Sequence, residues 1–169
     1  MTNVVLTVIG DDRPGLVSAL SEALANHGGN WLDGRLTRLA GKFAGVVLAE
    51  VPAEQVHGFE AAVGRFNDLH VTVTPSEATT AQGRRFSLHL IGNDQPGIVH
   101  EVSRTLAAQH VSIDSIETST SEAPMGGGTL FHTDAVIRAG EDVDLDAVAR
   151  ALEAIAGELM VDLDFDPAP

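Results

Sequence analysis

Residues 6–25 read LTVIGDDRPGLVSALSEALA, and residues 88–107 read LHLIGNDQPGIVHEVSRTLA. The two stretches align at a constant offset of 82 residues, and ten of their twenty positions are identical. A period this long, present in only two copies, is not a solenoid repeat. The chain of 169 residues therefore contains two copies of one small domain.

A polar segment separates the two copies. Residues 75–85 read PSEATTAQGRR, which is rich in proline, serine, threonine and glycine and has no apolar periodicity. We therefore expect a first domain over 1–76, a linker over 77–84 and a second domain over 85–169.

Within each copy the apolar period changes along the chain. The β-branched run over Asn3–Ile9 indicates a strand, and Leu16, Leu20 and Leu24 recur at helical spacing before a glycine pair. A hairpin, a second helix and a last strand follow. The predicted order, β-α-β-β-α-β, is the ferredoxin-like α+β arrangement, an antiparallel sheet with two helices on one face. The other face has no helical cover, and exposed apolar sheet faces tend to pack against a partner.

The turn between the first strand and the first helix is the most distinctive local feature of each copy. It reads Gly10-Asp11-Asp12-Arg13-Pro14-Gly15 in the first copy and Gly92-Asn93-Asp94-Gln95-Pro96-Gly97 in the second. We expect the second aspartate position to cap the helix, the proline to lie in the first helical turn and the second glycine to leave the helix start open.

Such a turn suits a zwitterion. Unpaired N–H groups at a helix start favour a carboxylate, and a neighbouring aspartate favours an ammonium group. On these residues alone, a well-capped turn with no ligand is the simpler interpretation.

The turn motif, inside this order of elements, resembles the ACT domain, a family of small regulatory modules that often bind amino acids. A tandem pair of this length resembles in particular the glycine cleavage system transcriptional repressor family. The resemblance covers nearly the whole chain and is tightest over 4–34 and 86–114. It implies regulation without catalysis, with an amino acid of the glycine or serine class bound between two paired domains.

The resemblance also implies which residues contact the ligand. In the first copy these are Asp12, the backbone from Arg13 through Pro14 and Gly15 to Leu16, and Asn30. In the second copy they are Asp94, the backbone from Gln95 through Pro96 and Gly97 to Ile98, and Ser112. Both copies carry an aspartate where the family usually has a turn asparagine, and Ser112 is shorter than the asparagine it replaces. The first copy is therefore the better candidate, although Asn30 is equally explained as an ordinary strand-start residue.

His89 and His100 flank the turn of the second copy, which leaves a metal or proton-transfer role open, but a histidine on a strand face or helix surface is the commoner case. The seven histidines are scattered, with no spacing typical of a zinc site, and no nucleotide-binding or nucleophile motif occurs. There is no cysteine for a thiolate site or a disulfide. The acidic run before the last helix is typical of a helix cap. We expect neither an enzyme nor a bound metal or other cofactor.

The net charge of −14 argues against direct binding of nucleic acid, which requires clustered lysine and arginine. The first 82 residues contain five basic and nine acidic residues, and the remainder contains five and fifteen. We expect a basic protein partner, such as a DNA-binding regulator, and a homodimer. No signal peptide or apolar run of about 20 residues is present, so a cytoplasmic protein without membrane attachment is expected.

Two hypotheses remain open at this stage. The first is an amino-acid sensor whose occupancy changes the arrangement of its domains and is read by a partner protein. The alternative is an ACT interaction or dimerisation module that has lost ligand binding. Trp31 is either an interface anchor or an ordinary core residue, and the second interpretation is favoured.

Overall fold

The computed structural model describes residues 1–77, 82–124 and 127–168. The chain divides into two compact units, 1–80 and 81–169, called unit 1 and unit 2 below. Residues 78–81 of the predicted linker lie outside the described residues. The first strand of unit 2 already begins at Arg84, so the end of the predicted linker is part of a strand.

Unit 1 has the predicted order of elements. They are β1 (Thr2–Asp11), α1 (Leu16–Asn26), β2 (Asn30–Leu39), β3 (Lys42–Val51), a short 3₁₀ turn (Ala53–Gln55), α2 (Val56–Val63) and β4 (Leu69–Pro75). The four strands form one antiparallel sheet in the order β2-β3-β1-β4. Pro52 precedes the 3₁₀ turn rather than opening α2 directly.

Unit 2 repeats this plan. Its elements are β5 (Arg84–Asn93), α3 (Ile98–Ala108), β6 (Val111–Glu122), β7 (Thr129–Ala139), α4 (Leu145–Leu159) and β8 (Val161–Pro167). The sheet order is β6-β7-β5-β8, again fully antiparallel. The prediction of two ferredoxin-like α+β units is confirmed.

Each unit has its own core between the sheet and the two helices. In unit 1, alternate residues of β1 and the leucines spaced by four on α1 belong to one buried cluster, and Leu6 and Leu20 are at most 1% exposed. Trp31 is half-buried and packs against this cluster, as the favoured interpretation expected. Since strand residues alternate between faces and helix residues repeat every three to four, these two periods account for the side chains that β1 and α1 bury.

The uncovered sheet faces of the two units differ in chemistry. In unit 1 the face carries apolar residues, among them Ile9 and Val46, both nearly half-exposed. In unit 2 the same face carries His89, whose Nδ1 lies 2.6 Å from Asp134 Oδ1, beside Asp164 on β8. This face is mixed in unit 1, where β4 contributes His70 and Thr72, and more acidic in unit 2, where alternate residues of β8 are aspartates.

The outer strands β2 and β6 share an irregularity. The register with the neighbouring strand shifts between Trp31 and Asp33 in β2, and between Ile113 and Ser115 in β6. Both shifts are β-bulges at equivalent positions, offset by the same 82 residues that relate the two sequences.

The acidic run before α4 includes the expected helix cap. The Asp144 side chain accepts hydrogen bonds from the backbone N–H groups of Asp146 (3.0 Å) and Ala147 (3.1 Å). These groups have no partner within the helix, so the cap stabilises its start.

The first glycine of the unit 1 turn is required by close packing. A Cβ atom on Gly10 would lie 2.1 Å from the carbonyl oxygen of Asp68, far inside van der Waals contact. Gly10 pairs with Leu69 at the start of β4. The glycine therefore allows the segment before β4 to lie directly against the end of β1.

We expect Gly10→Ala to lower the free energy of unfolding by about 1–3 kcal/mol, because the new methyl group must displace backbone. Gly157→Ala in α4 is the control, since a Cβ there meets nothing within 4 Å. That change should raise stability by about 0.5–1 kcal/mol, because alanine is the better helix former. Urea unfolding followed by circular dichroism measures both, and a Gly10→Ala protein as stable as wild type would contradict the packing argument.

We expect Asp144→Ala to destabilise unit 2 by about 1 kcal/mol through loss of the cap of α4. Asp144→Asn should be nearly neutral, because asparagine is an equally good cap. The same unfolding measurement applies, and equal losses in the two variants would mean that the charge, not the cap, is what stabilises the helix.

Candidate functional site

The second glycine of each turn begins the helix. Gly15 and Gly97 are the N-cap residues of α1 and α3 and have left-handed φ angles of 91° and 99°. A Cβ atom on either glycine would meet nothing within 4 Å. The prediction that these glycines leave the helix start open is therefore borne out by the geometry.

The predicted aspartate caps are wrong. Neither α1 nor α3 has a side-chain cap, and the prolines precede the N-cap instead of lying in the first helical turn. The reason is that the glycine, in a conformation unfavourable for other residues, occupies the cap position itself. As a result, the first N–H groups of α1, those of Leu16, Val17 and Ser18, have no acceptor among the described residues.

Asp12 is instead hydrogen-bonded to the β2–β3 hairpin. Its N–H donates to the carbonyl oxygen of Gly41 (3.0 Å), and its Oδ2 accepts from Arg38 Nη1 (3.1 Å). The side chain is 31% exposed, so it remains open to a further partner. In unit 2 the N–H of Asp94 donates to Thr129 (2.8 Å), but its carboxylate has no partner among the described residues.

Asn30 lies far from the turn of its own unit. It begins β2 and pairs with Glu50, which pairs with Asn3 near the start of β1, and its Nδ2 lies 3.4 Å from Glu50 Oε1. The turn follows the other end of β1, about 24 Å away at roughly 3.4 Å per strand residue. The structure of unit 1 thus does not bring Asn30 to Asp12.

Ser112 is placed in the same way in unit 2. It pairs with Arg138, which pairs with Arg85 near the start of β5. Asp94 follows the opposite end of that strand, so unit 2 also keeps its two candidate positions apart.

Basic residues gather around the unit 1 turn. Lys42 pairs with Asp11, Arg38 with Asp12, and Arg13 with Asp68, the last at 2.7 Å. Arg38, Lys42 and Asp68 are not among the residues that the sequence predicts at the turn, because strand pairing and the return to β4 bring them there from distant parts of the chain. The only sequence signal is that the hairpin tip must lie beside the end of β1.

A cleft of about 230 Å³ adjoins this turn. It lies between the first turn of α1 and the loop 64–68 that joins α2 to β4. Its lining includes Arg13, Leu16, Arg65 and Asp68, together with Phe66, which packs against the core. Its lining combines two arginines, one aspartate and apolar residues, a composition suited to a small polar ligand.

The unit 2 turn has different chemistry at the corresponding place. Gln95 replaces Arg13, and its Nε2 donates to the carbonyl oxygen of Leu159 at the end of α4 (2.7 Å). The first turn of α3 contains Glu101, and a hydrogen bond from Arg104 (2.5 Å) lowers the pKa of this carboxyl group. Glu101 is therefore ionised at neutral pH.

Two absences concern the described residues only. No group of three histidine or acidic side chains there is arranged to hold a metal ion. No helix within the described ranges is long and apolar enough to cross a membrane.

Comparison with known proteins places the chain in a family. Residues 2–73 and 86–157 each match the ACT domain. The Escherichia coli glycine cleavage system transcriptional repressor is 23% identical over 164 residues, which cover 92% of this chain and 85% of the repressor. The phosphoserine phosphatase SerB2 of Mycobacterium tuberculosis is 30% identical over 141 residues, 74% of this chain. The chain spans only 32% of that phosphatase's length.

A solved structure resembles the whole chain. A protein from Galdieria sulphuraria described as unknown superposes with a TM-score of 0.87 at 28% identity, covering 99% of both chains. With both units matched separately and the tandem arrangement matched along its full length, the chain belongs to the ACT domain family and consists of two ACT domains in tandem.

Proposed function

We propose that this chain is a non-catalytic regulatory protein that binds a small amino acid of the glycine or serine class at the unit 1 turn. The observation that supports this most is the open start of α1, whose first N–H groups are unpartnered and follow, in the same turn, the partly exposed carboxylate of Asp12. The two groups match the two charges of a zwitterion.

The proposed contacts follow from the charges. The ligand carboxylate accepts hydrogen bonds from the N–H groups that follow Gly15, where the helix dipole also favours negative charge. The ligand ammonium group donates to Asp12, which then bridges Arg38 and the ligand. The absence of a Cβ on Gly15 leaves room for the close approach of a small molecule.

Asn30 contributes in this proposal only from another ACT unit, because it lies at the far end of its own sheet. We place that unit in a second copy of the chain, so that the site is completed in a homodimer. The equivalent residues of unit 2 form a second candidate site of the same kind: Asp94, Gln95, Pro96, Gly97, Ile98 and Ser112.

Regulation then acts through the arrangement of ACT units. A ligand that contacts two units stabilises their paired arrangement only to the extent that it binds this arrangement more tightly. We propose that a partner protein reads the arrangement, and that the partner is a transcriptional regulator of amino-acid metabolism. Support comes from the repressor relative that matches 92% of the chain. The acidic surface is suited to a basic protein.

One observation favours a second function. Asp12 already has a cationic partner in Arg38 and therefore does not require a ligand. On this alternative, the tandem ACT domains form an interaction or dimerisation module without a ligand, and the turn is purely structural.

Titration calorimetry with glycine, serine and the other amino acids tests the proposal. We expect binding by at least one of them. Asp12→Ala should weaken it by about tenfold or more, because a charge-assisted hydrogen bond contributes about 1.5–3 kcal/mol. Asp12→Asn should retain most of the affinity, since asparagine is the residue usual in the family.

Asp33→Ala is the matched control. Asp33 is also exposed and paired with an arginine of β2, but it lies away from the turn. It should leave binding unchanged. No heat with any amino acid would support the ligand-free module, and equal losses for Asp12→Ala and Asp33→Ala would place the site elsewhere.

A further inference from the structure

The cleft beside the unit 1 turn contains a positive charge that no carboxylate neutralises. The three other basic residues at this end of the unit are each paired: Arg13 with Asp68, Arg38 with Asp12 and Lys42 with Asp11. Arg65 lines the cleft and is exposed, and its side chain has no hydrogen-bond or ion-pair partner among the described residues. The chain as a whole has a net charge of −14, so this unpaired positive charge makes the cleft locally opposite in sign to the rest of the protein.

The loop that carries Arg65 is held in place. The N–H of Arg65 donates to the carbonyl oxygen of Ala62 (3.2 Å), and that of Phe66 donates to Val63 (3.1 Å). Phe66 packs against the unit 1 core on one side and lines the cleft on the other. The backbone is therefore fixed while the guanidinium group is available, which lowers the entropic cost of binding.

We propose that Arg65 binds the carboxylate of the amino-acid ligand in this cleft, and that each chain therefore has one amino-acid site, in unit 1. The inference rests on the proposed function and adds to it a binding residue and a stoichiometry. A guanidinium group presents two parallel N–H donors to a carboxylate, a geometry that lysine lacks. The cleft also contains Asp68, a second acceptor for the ligand ammonium group.

Unit 2 provides the internal comparison. In unit 1 the loop 64–68 precedes β4 and carries Arg65, whereas in unit 2 α4 continues to Leu159, and a single residue separates it from β8. Residues 151–160, which end α4 and lead into β8, contain no arginine or lysine. This segment of unit 2 therefore offers no guanidinium group.

Two further differences oppose carboxylate binding in unit 2. Gln95 spans from the turn to Leu159 at the end of α4, across the place where the cleft lies in unit 1. The first turn of α3 contains the ionised Glu101, whereas the first turn of α1 contains no acidic residue. A carboxylate therefore finds an unpaired arginine side chain in unit 1, whereas the acidic group at the helix start of unit 2 is already paired with Arg104.

Calorimetry on the full chain tests stoichiometry and residue together. With whichever of glycine and serine binds more tightly, we expect one site per chain. Arg65→Gln should weaken binding by about tenfold or more, as the loss of a charge-assisted pair predicts. Arg35→Gln, which alters another exposed arginine of unit 1, should leave binding unchanged. The amide of the same amino acid lacks the carboxylate charge. We expect its affinity for the wild-type protein to be as low as the affinity of the amino acid for the Arg65→Gln variant.

A second measurement separates this inference from the proposed function. Acetate presents a carboxylate without an ammonium group. On addition of acetate, we expect the backbone amide NMR signals of Leu16 and Val17 to shift, and those of Ile98 and Val99 to remain unchanged. Arg65→Gln should abolish the shifts at Leu16 and Val17. Amino-acid binding that survives Arg65→Gln, or two sites per chain, overturns the inference and leaves the proposed function standing. Acetate shifts without binding of any amino acid overturn the proposed function and show a carboxylate site only. No acetate response in unit 1 overturns the role of Arg65.

Discussion

The contact between Gly10 and the backbone of Asp68 determines the form of the candidate site. Because no Cβ separates them, the loop from α2 lies against the end of β1 and places Asp68 within reach of Arg13. The same loop forms one wall of the cleft and carries Arg65. In unit 2 the equivalent glycine accommodates the side chain of Val161 instead of a carbonyl group. In each unit, the absence of a side chain on this glycine thus determines how closely the start of the last strand approaches the end of the first strand.

The two units show how one fold carries two surface chemistries. Their sheets have the same strand order, and their helices begin at glycines in the same conformation. The two units differ in the chemistry of surfaces that the fold does not constrain. Unit 1 has apolar residues on its sheet face and paired basic residues at its turn, whereas unit 2 has aspartates and histidines on its face. Packing fixes the buried positions, whereas exposed positions vary at little cost in stability, so function diverges there.

The fold was predictable because it depends on local periods. Alternation in the strands and the spacing of Leu16, Leu20 and Leu24 give the element order, and the repeat gives it twice. The turn residues of the candidate site were also predictable, but the aspartate cap was not, because the left-handed conformation of Gly15 moves the helix start past Asp12. Arg38 and Arg65 could not be assigned to the turn, since strand register and loop path bring them there. The separation of Asn30 from Asp12 follows from topology alone: α1 returns the chain to the other end of the sheet before β2 begins.

The paired bulges in β2 and β6 have a consequence for assembly. Both strands lie at the edge of a sheet, where unpaired backbone groups would otherwise offer a template for another strand. A bulge interrupts the regular spacing of those groups and increases the local twist, so a straight foreign strand cannot follow the edge past Trp31 or Ile113. Each sheet therefore carries, at the same position of one edge strand, an interruption that opposes edge-to-edge growth there, whereas β4 and β8 at the opposite edges keep a regular register.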